Sequence, residues 1–384
     1  MTLTGLTRRH LASTAFMAVL ALGAMACACN VPVFRFALER WRPDAYRLTV
    51  LHRGPLSESQ RELIRPLEEA QGKALANISV RVVDVNELEK QDDRAALAWL
   101  REKDWSQLGA GESLLVVQYP EHLRIEIPVW VGATERENVV QLMRSPVRQE
   151  LVRRLAEGQT AVWLLLESGE TEKDGAAAEF LEGKLQELQL TLKLPQLTSD
   201  PDDELLTSTP LKVEFSVLRV PHDAAEEVAL AEMLVRCESY LADRSEALAF
   251  PVFGRGRALW PLVGRGINAK NIQEASEFLV GACSCQVKEQ NPGFDLLLSA
   301  DWNSLLPIEG QRVAAMQTGG IFLPDGAAEL VPIPTGSQPA ERRQGESPEQ
   351  SALAGNASSF VPAAVLVGIA AFVFLLAAIH AGKS

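Results

Sequence analysis

The strongest constraint on this chain lies near its C-terminal end, where Phe360 to Ile379 runs without a charge and almost wholly in apolar residues. Roughly twenty helical residues rise about 30 Å, the thickness of a bilayer's hydrocarbon core. A helix apolar on every side has no face to show to water, so residues 360–379 are expected to form a transmembrane helix. Pro362 falls in its first turn, where a missing N–H matters least. Ala364 and Gly368 have the small-xxx-small spacing that permits close helix packing, a feature also found on ordinary lipid-facing spans. Residues 331–359, rich in Pro, Gly, Ser, Gln and Glu from Pro334 to Ser359, bury too little apolar surface to order themselves and read as a flexible stalk. A short tail, 380–384, follows with Lys383 as its one full charge.

The other end reads as an export signal over residues 1–28. Thr7-Arg8-Arg9-His10-Leu11-Ala12 is followed by a long uncharged run ending in small residues, the order of a basic, then apolar, then cleavable leader. The Arg8-Arg9 pair with Leu11 loosely resembles a twin-arginine leader. Ala24-Met25-Ala26 fits a signal-peptidase site, and with Cys27 it resembles a degenerate lipobox that would make Cys27 a lipidation site. The run is also long enough to remain as an uncleaved anchor. Basic residues at both ends place both ends in the cytoplasm and the body outside it. The expected location is the cell membrane, with the bulk of the chain extracytoplasmic (periplasmic).

Between these segments about 300 residues remain, enough for two domains. Apolar residues make up 47% of the chain and its net charge is −13, so a core can form, and an acidic surface argues against nucleic acid as a partner. The body alternates strand and helix signals. Arg47 to Leu51, Ile78 to Val85, Leu114 to Tyr119 and Leu123 to Val131 read as strands. Ser57 to Gln71 reads as a helix opening on a capping sequence, Asp92 to Lys103 as a short helix, and Glu135 to Gly158 as helix broken at Ser145-Pro146. The order then recurs. Ala161 to Leu166 and Leu211 to Val220 read as strands, and Asp174 to Leu190 and Ala224 to Leu241 as helices. A hairpin is expected over Leu248 to Phe253 and Ala258 to Val263, then a helix over Asn271 to Ala282 and a strand over Asp295 to Ser299. Val131-Gly132 before Asn138-Val139 matches Val263-Gly264 before Asn271-Ile272, and Gly158 and Gly293 each precede an apolar strand-like run. These matches suggest a duplication, with domains over 29–158 and 159–330.

The order strand-helix-strand-helix-hairpin-helix, with Gly109-Ala110-Gly111-Glu112-Ser113 before Leu114 and Val131-Gly132 before a helix, resembles the thioredoxin fold. That resemblance implies an α/β body of two thioredoxin-like (β-α-β-α-β-β-α) repeats plus a C-terminal transmembrane helix. The family's chemistry rests on a Cys-x-x-Cys at the start of the first helix, where the helix end lowers a thiol pKa. This chain has Arg53-Gly54-Pro55-Leu56-Ser57 and Ser168-Gly169-Glu170-Thr171 at those places. A cis-proline is also missing from the first repeat, and Pro251 is its uncertain counterpart in the second. The resemblance therefore implies scaffolds or binding surfaces, since a fold alone confers no activity.

Other chemistry is sparse. Cys27 and Cys29 sit at the end of the leader, leaving Cys237, Cys283 and Cys285. Cys283-Ser284-Cys285 is compatible with a disulfide, a redox-active pair or core thiols, with Cys237 as a possible third member. Gly254-Arg255-Gly256-Arg257 and Gly264-Arg265-Gly266 are glycine-rich, but a phosphate loop must lead directly into a helix and the first leads into a strand, which reads better as a hairpin turn. Arg255, Arg257 and Arg265 are instead candidates for an anion or partner patch. Asp200, Asp202, Asp203 and Glu204 read as a solvated loop rather than a Ca²⁺ site. His52, His122 and His222 are scattered, and neither a metal site nor a catalytic set is expected. Val31 to Trp41, with its aromatic residues, is expected to pack against the body. No cofactor is expected, and the partners expected are the membrane and a membrane protein. The functional expectation is a non-catalytic binding or scaffold role, with a thiol redox protein or sensor using Cys283 and Cys285 as the alternative.

Overall fold

The computed structural model describes residues 29–90, 107–125, 127–242, 245–283 and 287–306. Cys27, Cys285, the expected helix over 92–103, the stalk and the run 360–379 lie outside the described residues. Among the described residues no helix is long and apolar enough to cross a membrane.

The body is mixed α/β with two sheets. The chain enters through helix α1, Val33–Arg40. Strand β1, Tyr46–His52, leads through helix α2, Glu58–Gly72, to β2, Ile78–Asp84. After β3, Ser113–Gln118, and β4, Trp130–Ala133, come helices α3, Arg136–Met143, and α4, Pro146–Ala156. The first sheet has the order β2-β1-β3-β4. β1 runs parallel to β2 and antiparallel to β3, and β4 is antiparallel to β3. The second sheet starts with β5, Ala161–Leu166, helix α5, Thr171–Thr191, and β6, Phe215–Val220. Helix α6, Val228–Val235, follows, then β7, Leu248–Phe253, the two-residue strands β8, Arg257–Ala258, and β9, Leu262–Val263, and helix α7, Ala269–Val280. β10, Phe294–Asp295, and helix α8, Trp302–Leu305, complete the described chain. The second sheet repeats the path of the first: β5 is parallel to β6 and antiparallel to β7, with β8 and β9 both antiparallel to β7.

Local chemistry accounts for most boundaries. Ser57 and Gln60 form a reciprocal capping box that starts α2. Ser145 caps α4 ahead of Pro146 and separates it from α3, as Ser145-Pro146 implies. Asn138 and Asn271, which occupy matching places in the sequence, play the same part after β4 and β9. Each donates from Nδ2 to the carbonyl of a residue five positions earlier, Ala133 and Gly266, at 2.8 and 2.9 Å.

Several expected strands are shorter than their apolar runs, Leu211 to Val220 pairing only from Phe215 and Ala258 to Val263 only at its two ends. Over Leu123 to Val131, Glu121–Leu123 forms a 3₁₀ turn, Arg124 is left-handed at φ 55°, and pairing begins only at Trp130. Over Asp295 to Ser299 only Phe294–Asp295 pairs as a strand. The Leu296, Leu297 and Leu298 side chains are still buried, but the Asn77 side chain takes the backbone bonds, donating to Leu296 O at 3.0 Å and accepting from Leu298 N at 2.8 Å. The expected helix over Ala224 to Leu241 is α6 alone, flanked by 3₁₀ turns at Ala225–Glu227 and Ser239–Ala242.

Strand alternation divides the apolar residues. On β5, Val162, Leu164 and Leu166 face a core shared with Leu48 and Val50 of β1 and Leu115 and Val117 of β3. Ala161, Trp163 and Leu165 face a second core built with α5 and α7. Phe34, Phe36 and Trp41 pack into that second core, so Val31 to Trp41 does bury, but against the sheet of the later repeat. Leu296 to Leu298 join the first core, which both sheets share. The later sheet thus takes its second core partly from α1, and its other face is packed together with the earlier sheet. Residues 43–158 and 159–306 expressed separately are therefore expected to show no cooperative thermal unfolding, whereas residues 29–306 together are expected to unfold in a sharp transition by circular dichroism.

Candidate functional site

The densest polar chemistry lies where the linker after α1 meets the end of the second sheet. Asp295 is 3% exposed, and an ionised carboxylate survives such burial only with its oxygens fully bonded. Its Oδ1 pairs with Arg257 Nη1 at 3.3 Å, and its Oδ2 accepts from the Asp44 backbone N–H at 2.6 Å and from Lys288 Nζ. Lys288 also pairs with Asp44 Oδ1 at 2.8 Å and donates to Arg42 O at 2.6 Å. Tyr46 donates its hydroxyl to Asp295 O at 2.8 Å. Burial, then the neighbouring Asp295 charge, raise the pKa of Asp44 above the usual carboxylate range.

Arg257 therefore belongs to the interior. It donates further to Pro292 O and Asn291 O, and its guanidinium lies 5.8 Å from the Trp41 ring centre. The three arginines singled out in the sequence do not form one patch. Arg255 follows the C-terminal end of β7, whereas Gly264, next to the exposed Arg265, bonds Ala247 before its first residue. Six strand residues span roughly 20 Å, so Arg265 stands apart.

Arg255 does line a cleft. Its Nε donates to Leu38 O at 2.7 Å and its Nη2 to Glu39 O at 3.1 Å, which satisfies carbonyls at the end of α1. Gly254, at φ 60°, allows the turn to sit there, since a Cβ would come 2.7 Å from Ala37 Cβ. Burial, then the nearby Arg42 charge, push the Arg255 pKa down to about 10. The cleft, roughly 500 Å³, draws on distant parts of the chain: Arg42 and Ala45 from the linker, Lys73 and Asn77 after α2, Arg255, and Trp302 of α8 line it. The sequence holds no local signal for Arg42 or Lys73 here, because they lie about 180 residues or more from Arg255.

The cysteines are dispersed. Cys283 is buried in the second core, and Cys237 packs against the first, so the fold does not bring these two together. Cys237 donates to Leu234 O at 3.1 Å, and burial pushes its pKa up to about 12, away from the thiolate. Cys29 belongs to the folded body rather than the leader's end: it is fully buried beside Cys283's core, donates to Asp202 O at 3.1 Å, and has its pKa raised by burial. The chain is laid there by Cys283 N donating to Val31 O and Val33 N donating to Gly281 O, both at 3.0 Å.

The acidic loop is also more than a solvated turn. Asp203 is buried and accepts from Asn30 N and Nδ2 and from Thr198 N and Oγ1, at 2.6–2.9 Å. The described residues contain no cluster of His, Cys, Asp and Glu fit to hold a metal.

The strand-to-helix corners after β1 and β5 are closed by side-chain hydrogen bonds. In the first, Gln60 completes the Ser57 cap and donates to Gly111 O and Ser113 Oγ. In the second, buried Asp174 accepts from Ser168 N, Ser168 Oγ and Gly169 N at 2.9–3.0 Å. No family model matches the chain, and neither does any curated protein or solved structure compared with it.

Two stability predictions follow from this geometry. α2 ends in a Schellman turn, with Leu75 N donating to Ala70 O and Ala74 N to Gln71 O, yet Ala74 occupies the left-handed position at φ 53°. Ala74→Gly is expected to stabilise the fold by about 1 kcal/mol in urea denaturation. The bonds from Thr198 and Asn30 hold Asp203 well below the usual carboxylate range. Its folded pKa is below its unfolded one, so its contribution is complete above about pH 4 and lost as the pH falls further. Asp203→Asn is expected to cost about 2 kcal/mol at pH 7, and the gap from the wild type should shrink in denaturation curves taken below pH 4.

Proposed function

We propose that this chain is a non-catalytic binding or scaffold protein, tethered to a membrane with its body outside the cytoplasm and built from two thioredoxin-like repeats. The observation that carries this reading is the closure of both strand-to-helix corners by Gln60 and Asp174, where the fold's redox chemistry would need a thiolate and open N–H donors. The common strand path of the two sheets, parallel β1/β2 and β5/β6 beside antiparallel β3 and β7, supports the thioredoxin-like assignment. Tethering rests on the sequence alone, through the apolar run 360–379 and the Arg8-Arg9 leader.

A scaffold of this kind acts by presenting surface, so its partner is sought in the same membrane. A periplasmic reporter fused after Leu330 is expected to be active, and cross-linking in intact cells followed by gentle solubilisation is expected to recover one stoichiometric membrane protein. A reporter active only in the cytosol would remove the tethered topology. A chain that cross-links to nothing reproducibly, while turning over thiol substrates, would replace the scaffold with an enzyme.

A further inference from the structure

We propose that the cleft at the junction of the two repeats binds a small, multiply charged soluble oxyanion, of the phosphate or polycarboxylate type, through Arg42, Lys73 and Arg255. This goes beyond the scaffold reading and does not depend on it.

Charge is the first ground. The chain carries a net −13, yet among the described residues no carboxylate lines this cleft. The nearby acids are engaged elsewhere. Glu39 is held by Arg35, Arg40 and the Leu206 and Thr207 N–H groups. Asp44 and Asp295 are held by Lys288 and Arg257. Glu69 does reach Lys73, at 3.2 Å, but both side chains are more than half exposed, and such pairs contribute little. Arg42 and Arg255 have no carboxylate within ion-pair distance among the described residues. The ends of α1 and α2 each bring a partial charge of about −0.5. Against three cations, and with Glu69 counted beside Lys73, this leaves an excess of about one positive charge.

Geometry is the second ground. Arg255 is positioned by the α1 carbonyls through Nε and Nη2, and these bonds leave Nη1 without an acceptor among the described residues. A guanidinium held in this way is ready to bond an oxyanion without further ordering. Arg42 and Lys73 are exposed and come from separate elements, so a ligand with several charged oxygens is needed to meet all three cations. Trp302, Ala76 and Ile78 supply an apolar wall, as small-molecule clefts between structural units commonly have. An anion would also relieve the repulsion between Arg42 and Arg255 that helps depress the Arg255 pKa.

Isothermal titration of the full-length protein in neutral detergent tests this, with inorganic phosphate and citrate as probes and chloride at equal ionic strength as control. Arg42→Ala/Lys73→Ala removes two cations whose side chains bond no backbone, and its melting temperature should stay within about 2 °C of the wild type. Arg42→Lys/Lys73→Arg should restore binding, and Arg265→Ala should not affect it. The expected result is saturable one-to-one binding of at least one probe, weakened about tenfold or more, or about 1.4 kcal/mol, in the double alanine variant. The inference is overturned if neither probe binds saturably below ~10 mM, or if the folded double alanine variant binds as the wild type does. Equal binding of chloride, or binding only to phosphatidylglycerol vesicles and to neither soluble probe, would also overturn it.

Discussion

A carboxylate taken out of water must be met by donors on every side, or its desolvation outweighs what it holds together. Asp295 meets that condition with groups from three stretches of chain: Asp44 in the linker after α1, Arg257 in β8, and Lys288 in the loop before β10. Once the carboxylate is placed, the linker, the hairpin and the last strand have one mutual arrangement. The turn that carries Arg255 is then set against α1, and Tyr46 is set at the start of the first sheet. Apolar packing alone would leave these pieces freer to slide, because dispersion contacts have no preferred partner atom.

The same arrangement interlocks the two sheets. Phe34, Phe36 and Trp41 precede the first sheet in the chain but complete a core of the second, and Leu296 to Leu298 follow the second sheet and join the core that both sheets share. Arg35, fully buried in this exchange, is matched by Glu39 one turn later and by Thr207 from the loop after α5. The two sheets are therefore not independent units. They are tied by a common core and by elements at the extremes of the body.

Much of this was legible where local pattern and tertiary burial agree. Ala161 to Leu166 reads as a strand and is one, because all six side chains are buried in the two cores on either face. Ser145-Pro146 marks a helix break because a cap and a ring that lacks an N–H act within a few residues. Legibility failed where the deciding partner is remote. Leu296 to Leu298 have a strand's composition, but Asn77, more than two hundred residues earlier, occupies the place of a neighbouring strand. Cys29 looks like the end of a leader because the Asp202 carbonyl that it bonds and most of the core that holds it lie at Ala161 or later in the chain. Arg257 looks like a member of a glycine-arginine surface loop, but its counter-ion is Asp295.

The cations of the body divide according to how they are satisfied. Arg148 is fully buried and gives its protons to the Leu297, Gln141 and Leu142 carbonyls, which close the end of α3. Arg35, Arg257 and Lys288 each hold a carboxylate. These groups are enclosed by the architecture and committed to partners within it, although Arg35 Nη1 and Arg148 Nε have no acceptor among the described residues. Arg255 differs because its carbonyl bonds orient the guanidinium without neutralising it, and because Arg42 stands near it as a like charge. Like charges gathered beside an open cleft are unfavourable in the empty protein. Since folding tolerates that arrangement in a chain with many more acids than bases, the deficit is smallest when an external anion supplies the missing charge.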